Sequence, residues 1–326
     1  MKLFGLNASR EFAEAVSEVL GLPLAAHEER EFEDGEHKAR PLESVRGADV
    51  YVVQSLHGGP EQSAHDKLCR LLFFLATLRD HGAERVTAVV PYLAYGRKDR
   101  QTKSRDPVTT RYMAQLFEAM DMDRIVTLEV HNIVAFQNAF RRETVHLNTG
   151  PVFAPVVREL AGEAEELVIM SPDPGGVKRA QLFQEYMEAV LERPVGSAFM
   201  EKRRSSGVVS GDRLVGEVTG STVIVIDDLI STGGTMARAA KACKAAGARR
   251  VHACAAHGLF VGEASQLLAA AELDKTFVTD SVPPFRLAKN LVPSRVEIVS
   301  AAPLFAKALR RLHKGGSISE LLSPPR

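Results

Sequence analysis

The sequence lacks a net charge, a long apolar run and a patterned set of cysteines, and each absence narrows what it encodes. Over 326 residues Lys+Arg and Asp+Glu both number 41, so the formal net charge is zero. That balance argues against a bulk nucleic-acid or membrane-surface partner and leaves only local basic patches. The three cysteines, Cys69, Cys243 and Cys254, show no metal-ligand spacing and read as buried or helix-face thiols at home in a reducing compartment. No stretch is long and apolar enough to span a bilayer, since the longest candidate, Leu68 to Leu78, is short and interrupted by Arg70. The opening residues MKLFGLNASREF carry no long apolar core of a secretory leader. A soluble, cytoplasmic protein is the expectation.

What is present is an ordinary globular composition, 45% hydrophobic and 25% charged, in a chain long enough for two domains. Strand-like runs at Asp49–Gln54, Arg85–Val90, Arg124–Val130, Glu166–Ser171, Ser221–Ile226 and Val251–Ala256 alternate with helix-like ones. The helical patterns cover Ala8–Leu20, Glu61–His81, Thr109–Met120, Pro151–Ala161, Gly176–Leu191, Thr235–Ala246 and Gly262–Ala271. Such alternation indicates an α/β protein with mainly parallel sheets flanked by helices, whose sites lie beyond the carboxyl ends of strands. LNTGP, near Leu147–Pro151, suggests a boundary that separates residues 1–147 from 148–326. The amphipathic helix at Ala302–His313 is expected to pack back on the body, against the N-terminal domain.

The most informative segment is VIVIDDLISTGGT, Val223 to Thr235. Its β-branched run reads as a buried strand that ends at Ile226 in two carboxylates, Asp227 and Asp228. Ser231, Thr232, Gly233, Gly234 and Thr235 then lead into an alanine-rich helix. A helix N-terminus offers free N–H groups and a positive dipole end to a phosphate, and glycines let the backbone approach it. The aspartates would repel that phosphate, so their natural partners are sugar hydroxyls or a magnesium ion. The unit therefore reads as a ribose 5-phosphate site, and it resembles the phosphoribosyl-binding loop of the type I phosphoribosyltransferase fold.

Other clusters carry compatible chemistry. PYLAYGRKDRQTKSRDPVT places Arg97, Lys98, Arg100, Lys103 and Arg105 around Asp99 directly after a strand, as a loop closing over a polyphosphate would. Glu129 and His131 alternate at a strand end, which puts both on one face and makes His131 a magnesium or phosphate contact. In SPDPGGVKRA, Asp173 stands between two prolines at a strand end, a hard oxygen donor suited to Mg²⁺. FMEKRRSS sets Lys202 and Arg204 on one face of an extended segment, where two cations neutralise charge on a transferring phosphoryl group. FEDGEH spaces Phe32, Asp34 and Glu36 alternately, a stacking face with two acceptors for an adenine.

In this order the clusters resemble the ribose-phosphate pyrophosphokinases over nearly the whole chain. The resemblance rests on FEDGE, ESVRGADVYVVQS, RVTAVVPYLAYGRKDR, the Glu129/His131 strand, SPDPGGVKRA, the basic KRR strand and VIVIDDLISTGGT. It implies two tandem type I phosphoribosyltransferase-like domains and transfer of a diphosphoryl group from Mg·ATP to ribose 5-phosphate. It further implies that Asp227, Asp228 and Ser231–Thr235 hold ribose 5-phosphate, and that Lys202 and Arg204 stabilise the transition state. His131 and Asp173 would serve the metal, and Arg97, Lys98, Asp99 and His131 the nucleotide. Phe32, Asp34 and Glu36 would reach the adenine of a neighbouring subunit, which implies a homo-oligomer. Ser44, Arg46, Ser104 and Arg105 match positions that many members use for inorganic phosphate activation and ADP inhibition. The chain departs from the usual pattern at Glu129 for aspartate, Lys98 for glutamine, Ser231 for aspartate and Ser300-Ala301 for Ser-Gly. A nucleobase phosphoribosyltransferase and a non-catalytic regulatory subunit are the alternatives; the latter should have lost the cations or the acidic pair, and both are retained.

Overall fold

Uninterrupted apolar runs make strands buried on both faces, and such strands are found where helices cover a parallel sheet. The computed structural model describes residues 1–162, 166–205 and 208–325, and gives the backbone alone for 202–205 and 208–212. The chain divides into two units, Met1–Asn148 with Ala302–Leu321, and Thr149–Ala301 with the last residues from Leu322.

The first unit contains β1 (Lys2–Gly5), α1 (Arg10–Leu20), β2 (His27–Glu31), β3 (His37–Pro41), β4 (Asp49–Val53), α2 (Ala64–Asp80), β5 (Arg85–Val90), α3 (Thr109–Ala119), β6 (Arg124–Leu128), α4 (Ile133–Ala139) and β7 (Glu143–Leu147). Its five-stranded sheet has the order β1-β4-β5-β6-β7 and is parallel throughout, while β2 and β3 form a separate antiparallel hairpin. Phe4, Leu71, Phe74, Leu75, Phe117 and Phe136 are buried in its core. α2 starts sharply because Ser63 Oγ accepts from the Asp66 N–H at 3.2 Å while the Asp66 carboxylate accepts from the Ser63 N–H at 2.7 Å. That reciprocal cap is worth about 1 kcal/mol.

The second unit contains α5 (Gly150–Ala161), β8 (Leu167–Ser171), α6 (Val177–Leu191), β9 (Gly196–Ser205), β10 (Val208–Val215), β11 (Thr222–Ile230), α7 (Gly234–Ala245), β12 (Arg250–Gly258), α8 (Ala264–Ala270), β13 (Lys275–Thr279) and β14 (Val296–Val299). Its seven-stranded sheet runs β10-β9-β8-β11-β12-β13-β14, parallel except for the β9–β10 hairpin. From β8 the chain moves outward to β9, whereas β11 joins β8 on its other side and leads on to β12. Strand order therefore reverses between β8 and β11, which opens a crevice at their carboxyl ends.

The chain then returns to the first unit as α9 (Ala302–Lys314), followed by the short α10 (Ile318–Leu322). α9 buries Leu304, Phe305, Ala308, Leu309 and Leu312. The Phe305 ring meets Phe12 of α1 edge-on at 5.3 Å, and Arg310 Nη2 donates to the last carbonyls of α1, Val19 at 3.2 Å and Leu20 at 3.1 Å. His313 Nδ1 lies 2.7 Å from Asp49 Oδ2, which also accepts from Tyr51 and Arg85. The return helix is thus held by apolar contact, a helix-end cap and a hydrogen bond to Asp49.

Candidate active site

β11 does not stop at Ile226. Its pairing with β12 continues through Asp227↔Ala255 to Ile230↔Gly258, whereas its pairing with β8 ends at Val225↔Met170. Asp227 and Asp228 thus sit within the strand, where one neighbour has left and the crevice opens. The carboxylates had suggested a terminator, yet the length of β12 decides where the strand ends.

Burying two adjacent acids is costly unless a cation joins them. Arg179, in the first turn of α6, supplies it: one guanidinium nitrogen stands 3.1 Å from Asp227 Oδ1 and 3.4 Å from Asp228 Oδ1. Burial, followed by the neighbouring Asp228 charge, pushes Asp227 up to about 8, with Arg179 opposing the shift.

The loop after the acids has the geometry of an anion cradle. Gly233 takes φ +84°, a left-handed conformation that strains any side-chain-bearing residue, and α7 begins at Gly234. The first-turn N–H groups of α7 therefore follow directly on Ser231 and Thr232. On its other side the loop is tied down by the Val261 N–H, which donates to the Ser231 carbonyl at 2.9 Å.

Asp173 follows β8 on the other wall of the crevice. Its Oδ1 accepts from the N–H groups of Gly175 at 2.8 Å and Gly176 at 3.1 Å, so the carboxylate shapes its own turn and leaves Oδ2 outside it. Gly176 is required by close approach, because a Cβ there would lie 2.7 Å from Ser171 Oγ. Lys202 and Arg204 stand on β9 opposite Asp212 and Val209 of β10, and their side chains lie outside the described residues.

In the first unit, β6 ends at Leu128 and Glu129 turns away with φ +34°, so Glu129 and His131 occupy a loop and not alternating strand positions. Asn132 caps α4 through Oδ1, which accepts from Val134 and Ala135, while its Nδ2 donates to Asp99 Oδ2 at 2.5 Å. That bond ties the basic loop containing Asp99 to the segment containing His131. Arg97, Arg100, Lys103 and Arg105 have exposed side chains, whereas Lys98 pairs with Asp106.

FEDGEH is the tip of the β2–β3 hairpin and not a strand face. The Phe32 N–H donates to the Glu36 carbonyl at 2.8 Å, Gly35 takes φ +89°, and Asp34 Oδ1 accepts from the Glu36 N–H at 3.1 Å. Phe32 is exposed, with the Arg30 guanidinium 5.3 Å from its ring centre. Ser44 and Arg46 precede β4 at the amino edge of the sheet, beside Gly82, while Ser104 and Arg105 follow β5 at the carboxyl edge. The unit places these two pairs in loops at opposite edges.

Among the described residues no group of three or more His, Cys, Asp or Glu side chains is arranged to hold a metal. The donors present, carboxylate oxygens in ones and twos, fit Mg²⁺ that keeps waters and arrives on substrate phosphates. No helix of the described residues is long and apolar enough to cross a membrane.

Known proteins carry the same organisation. Residues 1–120 match the N-terminal domain of ribose phosphate pyrophosphokinase, and residues 199–323 match the phosphoribosyl synthetase-associated domain. The ribose-phosphate pyrophosphokinase of Caldanaerobacter subterraneus subsp. tengcongensis is 36% identical over 326 residues, covering 99% of this chain and 98% of that one. The chain belongs to the ribose-phosphate pyrophosphokinase family. A Streptococcus agalactiae serotype V protein named for the same activity is 36% identical over 323 residues, 99% of this chain and 95% of its own. The crystal structure of phosphoribosylpyrophosphate synthetase from Mycobacterium smegmatis superposes with a TM-score of 0.85 at 31% identity, covering 97% of this chain and 99% of that one. Two α/β units with mainly parallel sheets thus form the family's phosphoribosyltransferase-like pair. Arg179 is the site residue that sequence reasoning missed; it lies in the quoted SPDPGGVKRA motif, but nothing in the motif says which acids it meets.

Proposed function

We propose that the crevice between β8 and β11 holds ribose 5-phosphate for a ribose-phosphate diphosphokinase. The enzyme transfers the β,γ-diphosphoryl group of Mg-ATP to the 1-hydroxyl of ribose 5-phosphate. Its products are phosphoribosyl pyrophosphate, an activated ribose for nucleotide biosynthesis, and AMP. One observation carries the assignment of the sugar: an acid pair under Arg179, Asp228 buried and Asp227 half-buried, stands one short loop before a glycine-led helix start, at the point where strand order reverses.

In this reading Asp227 and Asp228 accept hydrogen bonds from ribose hydroxyls, and Ser231, Thr232, Gly233, Gly234 and Thr235 surround the 5-phosphate with N–H and O–H donors. Arg97, Asp99 and His131 form the nucleotide side, with Lys98 in the same loop, and Lys202 and Arg204 stabilise the charge that builds as the diphosphoryl group moves. Mg²⁺, when bound, would neutralise charge on the diphosphate, and Asp173 and His131 are the residues that the family resemblance assigns to the metal. Phe32, Asp34 and Glu36 serve the adenine of a neighbouring subunit in a homo-oligomer. Ser44, Arg46, Ser104 and Arg105 would serve an activating inorganic phosphate. The enzyme works in the cytoplasm.

The test is direct: purified protein with ATP, Mg²⁺ and ribose 5-phosphate, titrated with inorganic phosphate, should release AMP in step with phosphoribosyl pyrophosphate. Absence of AMP at every phosphate concentration would sink the reading.

A further inference from the structure

The basic loop after β5 carries an internal bond network that its sequence does not announce. Asp106 Oδ2 is the hub: it accepts from Thr102 Oγ1 at 2.8 Å, the Thr102 N–H at 3.1 Å and the Lys103 N–H at 2.9 Å, and it pairs with Lys98 Nζ. Lys98 Nζ also donates to Thr102 Oγ1 at 2.9 Å. The backbone of Lys98 is fixed as well, since its carbonyl accepts from the Thr110 N–H and from the hydroxyls of Thr109 and Thr110, each at 3.4 Å. Residue 98 is therefore held at both its head group and its backbone, and the limb around 97–99 is tied to the limb around 106–110. Asn132 holds the adjacent Asp99 at 2.5 Å. The other four cations of the loop keep exposed side chains.

We propose that Asp106 and Lys98 form a latch that presets the nucleotide loop, which makes Lys98 a positioning residue and not a phosphate ligand. The assignment rests on the reading of this loop as the ATP loop. A lysine spent on an internal carboxylate leaves Arg97, Arg100, Lys103 and Arg105 to meet the polyphosphate, and its tie fixes the backbone that presents Arg97 and Asp99. Pre-ordering the loop spares the nucleotide the entropy of ordering it, so the latch acts on ATP affinity and not on the transfer step. Lys98, ahead of the Thr102 hydroxyl and the Lys103 N–H, holds the Asp106 carboxyl well below the usual carboxylate range, so this carboxylate stays ionised at physiological pH.

The experiment compares wild type with Asp106→Asn, Lys98→Met, the double variant, Asp106→Glu and Arg97→Ala. The readouts are amide hydrogen exchange across 97–110 and steady-state constants for ATP and ribose 5-phosphate. Asp106→Asn should speed exchange at Thr102 and Lys103 and raise the KM for ATP by about threefold to fivefold, the size expected of a half-buried, solvent-screened charged hub. The kcat and the KM for ribose 5-phosphate should stay at wild-type values. Lys98→Met should do the same, the double variant should be no worse than either single one, and Asp106→Glu should recover most of the loss. Unchanged exchange in Asp106→Asn overturns the proposal. So does a Lys98→Met that raises the KM for ATP while Asp106→Asn leaves or lowers it, because that pattern belongs to a phosphate ligand. If exchange rises but neither Asp106→Asn nor Arg97→Ala shifts the KM for ATP, the latch stands and the nucleotide reading of the loop falls.

Discussion

Asp227 shows how a single residue is set against its surroundings. Its folded-state pKa of about 8 lies above the ordinary value of 3.8 because burial and Asp228 together outweigh Arg179. Between those values the folded chain holds this proton more tightly than the unfolded chain, so the associated stability is complete below about pH 4 and is lost as pH rises through about 8. Asp227→Asn removes the titration. Its urea midpoint should therefore gain on wild type as pH rises from about 5 to about 8, and a difference that stays flat across that range would contradict the assignment. The two acids were legible in the sequence because carboxylates after a β-branched run have few structural uses. Arg179 was not, since it stands 48 residues before Asp227 and only the packing of α6 against the sheet brings it there.

Among the elements, those with an uninterrupted apolar run or a clear helical period were readable and those without one were not. Arg85–Val90 appears in the structure with the bounds read from its apolar run, and α2 and α3 differ only at their ends. β1 and β14 have four residues each, too few to declare a period, while β7 (ETVHL) and β13 (KTFVT) match the length of β4, β6 and β8 but lack their apolar runs. α4 has seven residues, and its apolar start blends with the strand before it; the Asn132 cap was the available signal. In β11 and in the FEDGEH hairpin, bonds to distant or cross-strand partners set where the strand stops, and such partners have no local signature. α9 offers a test at this scale. Phe305 is fully buried against Phe12, so Phe305→Ala should cost about 3–5 kcal/mol. Thermal melting should show that loss in full, and a cost below about 1 kcal/mol would mean that α9 does not belong to the core of the first unit.

For the whole molecule the central question is whether catalytic parts are shared between copies. Phe32 lies exposed at a hairpin tip and Lys202 lies on β9, in different units of the chain. If the adenine contact comes from a neighbouring subunit, a Phe32→Ala chain and a Lys202→Ala chain, each nearly inactive alone, should form mixed assemblies with some intact sites. Co-expression should then restore AMP release well above the sum of the two variants made apart, and activity equal to that sum would show that each chain builds its site alone.

The return of α9 has a consequence for how the protein is made. The first unit lacks the helix that seals α1 and engages Asp49 until residues 302–314 have been synthesised. A ribosome making this chain therefore leaves the Phe12 face of α1 uncovered while the whole second unit is translated. The first unit is completed only after the second, so a premature stop before α9 should yield not half an enzyme but a fragment for chaperones and proteases.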